Sequence, residues 1–352
     1  MTIDELVQSK RDWLRNEGPD SEIVVSTRIR LARNLAPFSF VSRLSNAERT
    51  RVIETLRKAI RKTSFGQNST LFHLNDLSSL DRKLLVECHL ISREMAEGEG
   101  PRSVMISPNG QFSLMFIEED HLRIQCVKSG FCLQKIWTEI NDLDDQIEQN
   151  LVYAWSEELG YLTACPSNVG TGMRVSVMLH LPALGMTRQI TKVHNSLQKI
   201  SLTVRGLYGE GSQAWGDFYQ ISNQCTLGMT EEEILSQVQD VVGAVIDYEK
   251  KAREFLLEQN SEKLKSGIEE CLELIRESDA LNPQDTMKCL SAIRLGIILG
   301  LVEDISLDVV NQLLLQIQPA YLQWIYGGVE SSLDSNEFRA QYLKKFLLKI
   351  NY

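Results

Sequence analysis

The chain has 352 residues, 43% of them hydrophobic and 24% charged, with a formal net charge of −10. At roughly 150 residues per domain that is a globular protein of about two domains, and it excludes a disordered chain, a collagen and a small disulfide scaffold. The acidity argues against sequence-independent nucleic-acid binding, which needs a basic surface to displace counterions. Residues 1–20 read as a short helical lead-in that stops at Gly18-Pro19. An extended run from Ile23 to Ser26 follows and turns basic at Arg28, Arg30 and Arg33. Helical periodicity covers 46–63 and 79–96. Strands are predicted at Ser103–Ile106, Gln111–Ile117 and Leu122–Val127, the first two flanking the turn-forming Ser107-Pro108-Asn109-Gly110, which makes an antiparallel meander. A helix is predicted over 131–150. After Tyr161–Pro166 and a glycine-rich stretch comes a strand over Met173–Leu181. In it Met173, Val175, Val177 and Leu179 face one way and Arg174, Ser176, Met178 and His180 the other. Further strands are predicted at 200–205 and 217–222. Thr230 and Glu233 form a capping box that opens a long helix to about Asn260. Only helical periodicity follows, in Ser261–Glu277, Pro283–Leu301 and Leu307–Trp324. The expected fold class is α+β: an antiparallel sheet flanked by helices over 21–254, then an all-helical C-terminal domain over 255–352.

The longest uninterrupted apolar run, Leu295 to Val302, is far short of the ~18 residues of a membrane span. The N-terminal MTIDELVQSKRDW lacks an apolar signal core. No membrane association is expected. The seven cysteines, at 88, 126, 132, 165, 225, 271 and 289, include no C-x-x-C pair and read as free thiols in a reducing cytosol, so the expected location is cytoplasmic.

The chain has no G-x-x-x-x-G-K-[ST] loop and no H-R-D catalytic loop. A nucleotide bound here would need its phosphates neutralised in another way. Arginine can do that directly, because its planar fork pairs with phosphate oxygens and keeps its charge. Arg28 and Arg30 project from the same side of an extended segment, Arg123 opens a strand after an acidic cluster, Arg174 follows a glycine turn and Arg205 closes a strand. Taken singly, each also reads as an ordinary surface arginine.

Four strings change that balance: VVSTRIRLARN at 24–34, IEEDHLRIQ at 117–125, CPSNVGTGMRVSV at 165–177 and VRGLYGEGSQ at 204–213. Together, and in this order, they resemble the phosphagen kinase (ATP:guanido kinase) family, whose members move a phosphoryl group from ATP to a guanidinium nitrogen. The resemblance covers about residues 21–250 and is most similar to the bacterial protein-arginine kinase branch (the McsB type). Only some 25 residues precede the first motif, where conventional members carry a helical domain that helps cover a small guanidino substrate. An all-helical extension follows the catalytic region, and SVMLHLPAL at 176–184 and RGLYGEG at 205–211 look like that branch. Met178 stands where conventional members have a histidine, and Tyr208 where they often have another arginine.

The resemblance implies a phosphagen kinase catalytic fold and a set of roles. Arg28, Arg30, Arg123, Arg174 and Arg205 would clamp the ATP phosphates and stabilise charge on the transferring group. Ser26, Thr27, Ile29, Val175, Ser176, Val177 and Met178, together with the turn Gly206, Leu207, Tyr208, Gly209 and Glu210, would complete the ATP site. His89 matches a histidine near the nucleotide, although from sequence alone it reads equally as a half-buried helix residue. A guanidinium, with a pKa above ~12, is a poor nucleophile. Glu119 would be its principal base and orienter and Glu210 the partner carboxylate. Cys165 would face the guanidinium in a supporting role. Mg²⁺ would bridge the ATP phosphates, with Glu118 and Asp120 holding some of its waters and no direct protein ligand.

The resemblance implies protein substrates with accessible arginines, among them a stress-response repressor, an activating adaptor, and a Clp-type protease that degrades the marked products. A kinase for free arginine or another small guanidino compound, and a weakly active phosphoarginine-binding adaptor, are the alternative readings. Members of the branch carry an Arg-Asp-x-x-Arg-Ala motif in a phosphoarginine-binding pocket. It aligns here with Ser335, Asn336, Arg339 and Ala340, so only its end survives; these residues read as a degenerate phosphoarginine pocket or, for Arg339, equally as a surface position on a helix. The apolar helices at 293–302 and 309–316 would build either a domain core or a homodimer contact.

Overall fold

The computed structural model describes residues 1–9, 12–206, 214–327 and 335–348. The first element is the helix α1 (Ile3–Gln8), and a long strand β1 (Val24–Arg33) follows. Helices α2 (Asn46–Ile60) and α3 (Ser64–Asn68), strand β2 (Thr70–His73) and helices α4 (Ser79–Glu87) and α5 (Arg93–Glu97) lead to the meander β3 (Ser103–Ile106), β4 (Phe112–Phe116) and β5 (Leu122–Ser129). After α6 (Leu133–Glu148) come the short hairpin β6 (Trp155–Ser156) and β7 (Gly160–Tyr161), then β8 (Met173–His180), α7 (Pro182–Met186), α8 (Ile190–Gln198), β9 (Leu202–Gly206) and β10 (Phe218–Asn223). The rest is helical: α9 (Glu231–Glu277), α10 (Pro283–Ile298), α11 (Leu307–Gln316), α12 (Pro319–Ile325) and α13 (Ser335–Leu347).

Eight strands form one antiparallel sheet in the order β2-β3-β4-β5-β1-β8-β10-β9. The α+β expectation therefore holds. Side-chain alternation gives the sheet two unlike faces. Ile29, Leu31, Ile124, Val175, Val177 and Ile221 pack into one core beneath α2, α6 and the first half of α9. On the other face Val104, Ile106, Met115 and Val127 share a second core with the lead-in, α4 and the C-terminal helices. Leu6, Trp13 and Leu14 are buried there, and Trp324 donates its indole N–H to Asp4 at 2.7 Å. The lead-in is thus part of the packing, and the C-terminal helices cover one end of this face while the arginine-bearing strands beside them line an open cavity.

Three elements differ from the sequence reading. The helix expected over 79–96 stops at Glu87, because His89 takes a left-handed backbone (φ +58°), and α5 restarts after the Ser92 cap. The helix expected over 307–324 is split by Pro319, which lacks the N–H needed inside a helix and instead sits in the first turn of α12. The helix expected to end near Asn260 and the helical stretch expected over 261–277 form one run of helical hydrogen bonding, α9, broken by non-helical dihedrals at Asn260 (φ −139°, ψ 25°). The Thr230–Glu233 capping box forms with both reciprocal bonds, at 3.2 and 2.8 Å.

Candidate active site

Strand β1 lies inside the sheet, between β5 and β8. The register opposes Arg30 to Arg174 and Arg28 to Ser176 across β1 and β8, and Ala32 to Arg123 across β1 and β5. Farther out, Gln220 of β10 lies opposite Met178 on one side and Arg205 on the other. Opposed residues of antiparallel strands share a face. Arg28, Arg30, Arg123, Arg174 and Arg205, distant in sequence, therefore project from one face and line a single cavity of about 1040 Å³. Glu118, Glu119 and Cys165 line the same cavity.

Its electrostatics are unbalanced. Arg28 donates to Gln220 Oε1 and Arg174 to Ser222 Oγ, both at 3.3 Å, and these acceptors are neutral. Arg30 and Arg174 each keep a buried Nε with no partner. Burial, then the neighbouring Arg174 and Arg123, pushes the Arg28 guanidinium down to about 10. Burial, then Arg28, holds Arg30 well below the usual arginine range, and burial, then Arg205, lowers Arg174. Arginine stays charged even so, and crowded guanidiniums that face no carboxylate repel one another, a repulsion that a bound anion relieves. Arg123 differs: it pairs with Glu118 and, at 3.4 Å, with Glu119.

The two cavity carboxylates have different environments. Glu118, 2% exposed, accepts from Arg123, from Ser92 Oγ and from the Glu119 N–H. Glu119 is 45% exposed and touches only Arg123, loosely. Burial, opposed by Arg123, raises its pKa, which suits a proton acceptor facing a guanidinium. Cys165 lies 3.0 Å from Ser167 Oγ.

Asp120 requires a correction. It is fully buried behind the cavity, where Oδ1 accepts from Asn34 Nδ2 at 2.6 Å and from the Ala164 N–H at 2.7 Å, and Oδ2 has no partner. It braces the 117–123 turn against Asn34 and the 162–165 segment and is not placed to hold a metal-bound water. Glu118 is likewise occupied by its three donors. Among the described residues, no group of three or more His, Cys, Asp or Glu side chains is arranged to hold a metal ion.

The expected ATP residues divide by strand parity. Ser26, Ser176 and Met178 face the arginine side and, with Arg28, His89 and Trp13, enclose a small recess beside the cavity. Burial, then Arg28, depresses the His89 pKa to about 4, so its ring is neutral at pH 7, and its Nε2 is buried without a partner. The side chains of Thr27, Ile29, Val175 and Val177 point the other way. Thr27 Oγ1 donates to the Gly130 carbonyl at 2.7 Å, and the other three are core residues, so none offers a side chain to a nucleotide in the cavity. Gly206 ends β9 beside Arg205. Leu207, Tyr208, Gly209 and Glu210 lie outside the described residues.

Arg339 is not a surface residue. It is 1% exposed and donates to the carbonyls of Ile317 and Leu281 and to Asn336 Oδ1, tying α13 to the loops before α10 and α12. Ser335 and Asn336 open α13 and Ala340 is buried in it. The cavity also has polar residues missed from sequence: Gln220, Arg49, Arg93 and Arg102. Only Gln220 carried a signal, since it alternates with Ser222 on a strand predicted over 217–222; that this strand lies beside the arginine strands is seen only in the fold.

Comparison with known proteins adds an independent line. The family model for the ATP:guanido phosphotransferase C-terminal catalytic domain matches residues 51–252, and that for the protein-arginine kinase McsB C-terminal domain matches 261–352. The chain is 40% identical over 337 residues to a protein-arginine kinase of Geobacillus sp. (strain WCH70), covering 95% of this chain and 93% of that one. It is 40% identical over 352 residues to one from Bacillus cereus (strain AH820), covering 99% of both. Among solved structures it is similar to a lombricine kinase, with a TM-score of 0.58 and 27% identity over 66% of this chain and 67% of that chain. It is also similar to a substrate-free duplicated taurocyamine kinase from Schistosoma mansoni, with a TM-score of 0.58 and 25% identity over 74% of this chain and 40% of that chain.

Proposed function

The chain belongs to the ATP:guanido phosphotransferase family, and from that membership we propose that it transfers the γ-phosphoryl group of ATP to arginine side chains of proteins. One observation carries the site assignment: partly buried arginines without carboxylate ion pairs, two of them with an unpartnered Nε, share a cavity with a half-exposed glutamate. The phosphate tail would lie on Arg28, Arg30, Arg174 and Arg205. Arg123, held by Glu118, would stabilise charge that grows on the transferring oxygens. Glu119 would orient the acceptor guanidinium and take its proton as the N–P bond forms, with Glu210 as second carboxylate and Cys165 in support. Ser26, Ser176, Met178 and His89 would lie at the nucleotide end. The protein as acceptor is supported by the C-terminal model match over 261–352 and by the names of the relatives.

Among the described residues no cluster of His, Cys, Asp or Glu side chains would cage magnesium. Mg²⁺ would arrive with ATP, held by phosphate oxygens and water. The wider proposal is a cytoplasmic enzyme whose products are marked for a Clp-type protease in a stress response, with a repressor among its substrates, an activating adaptor and homodimer formation. These extensions rest on the resemblance of the chain to the protein-arginine kinase branch. No helix among the described residues is long and apolar enough to cross a membrane.

The test is incubation with MgATP and either an arginine-rich protein or free arginine, with mass spectrometry for acid-labile phosphate on arginine. Phosphoarginine in the protein supports the proposal. Phosphorylation of free arginine alone shifts the acceptor class, and no transfer despite ATP binding removes the activity.

A further inference from the structure

A second cavity, of about 920 Å³, shares no lining residue with the arginine cavity. Its walls are α7 and the turn after it, the segment at Asp217, both sides of the Asn260 kink in α9, and α10. Leu256, Leu264, Ile268, Leu295 and Leu299 give it an apolar lining, and Met186 and Phe255, 52% and 54% exposed, lie at its edge. Cavities of this size at a junction between packed units are the usual setting of small-molecule sites.

Two details separate it from a packing fault. Gly267 lies inside α9, where glycine is less stable than alanine, yet an added Cβ would meet nothing within 4 Å. A residue that keeps the cavity wide thus stands where helix propensity favours filling it. The second detail is Asp217. A Cβ on Gly185 would sit 2.7 Å from its Oδ1, so the carboxylate is pressed against the α7 backbone. The backbone carbonyl of Asp217 accepts from the Leu181 N–H at 2.9 Å, but among the described residues its carboxylate has no hydrogen bond and no ion pair within 4 Å. Burial, then the nearby Glu249, raises its pKa to about 6. Glu249 is already bonded to Arg253 and to the N–H groups of Ala183 and Leu184. Lys263, Lys288 and Glu270 also line the cavity, but neither lysine pairs with Asp217. A partly buried carboxylate at a cavity wall, with no protein donor, is open to a cation brought by a ligand.

We propose that this cavity binds a small amphipathic organic cation, with its ammonium or guanidinium on Asp217 and its hydrocarbon body against the leucines of α9 and α10. The site is independent of the phosphotransfer reading and stands or falls separately from it. Octylammonium is the probe, since its head group is not the acceptor of the arginine cavity, and octanol is the uncharged control. Calorimetric titration of the full chain should show octylammonium binding at least tenfold more tightly than octanol and raising Tm. Asp217→Asn should weaken octylammonium at least tenfold and leave octanol and ATP affinity unchanged. Gly267→Leu, which fills the cavity from the opposite wall, should weaken both probes. Equal affinity for the two probes, or octylammonium binding unaffected by both substitutions, would overturn the proposal.

Discussion

The guanidiniums packed inside the fold and those lining the cavity have different partners. At the seam between the sheet and the C-terminal helices, Arg294 donates to Asn311, to the carbonyls of Glu22 and Ser21, and to His180 Nδ1. Arg253 there pairs with Glu249 at 2.8 Å. Likewise Arg33, within the sheet, is held by Asp144 and stacked on Tyr161 at 3.5 Å. In the cavity, by contrast, Arg28, Arg30 and Arg174 have neutral partners or none. Neither burial nor the absence of a carboxylate identifies a functional arginine, since Arg294 has only neutral partners. The difference is in the donors left over: Arg294 spends its donors on Asn311, two carbonyls and His180, whereas Arg30 and Arg174 keep an Nε without a partner at the wall of an open cavity.

The largest expected effect lies in the cavity. Glu119→Gln should lower phosphotransfer by roughly 10²–10⁴ while ATP still binds, as expected for loss of a proton acceptor. Unchanged turnover would take the base away from Glu119. The matching break in a structural clamp is Asp144→Ala, which strands Arg33 and the Tyr153 hydroxyl. It should cost about 3–5 kcal/mol of stability, read by denaturant unfolding. A loss under 1 kcal/mol would mean that Arg33 is not a clamp.

Arg174→Ala should do the reverse. Transfer should fall by roughly 10²–10³ and ATP should bind more weakly, consistent with losing one preorganised donor. Thermal stability without nucleotide should hold or rise, because like-charge crowding is relieved. Normal ATP affinity would separate Arg174 from the phosphates.

The smallest effect is a pH dependence at the seam. Glu87 caps α12 through the N–H groups of Ala320 and Tyr321, and its burial raises its pKa to about 7. The folded state then holds this proton more tightly than the unfolded chain. The Glu87 contribution is most favourable below the unfolded value of ~4.5 and is lost as pH rises towards 7. Glu87→Gln should flatten the fall of Tm across that window, and an unaltered slope would assign the titration elsewhere.

Much of the cavity was legible because β structure is periodic. Arg28 with Arg30, and Arg174 with Ser176 and Met178, follow from alternation alone. The same rule puts the side chains of Thr27, Ile29, Val175 and Val177 on the other face, so any contact of theirs with a nucleotide would be through the backbone. Asp120 was not legible: it lies between Glu119 and His121 in an acidic turn, and only the fold shows it turned inward to Asn34. Nor was the break at His89, where residues 79–96 read as one helix and a positive φ leaves no mark on the apolar pattern. The short edge strand Thr70–His73 and helix α8 were missed for want of enough residues to show a period.

By itself the sequence determined the elements that repeat locally, the face of each strand on which a residue lies, and the motifs that name the chemistry, since all three depend on near neighbours. The tertiary structure alone decided that β5, β1, β8, β10 and β9 lie side by side in this register, and which buried charges find a partner. The central pairings, β1 with β5 and with β8, join residues roughly 90 to 155 positions apart, and no local pattern encodes their geometry.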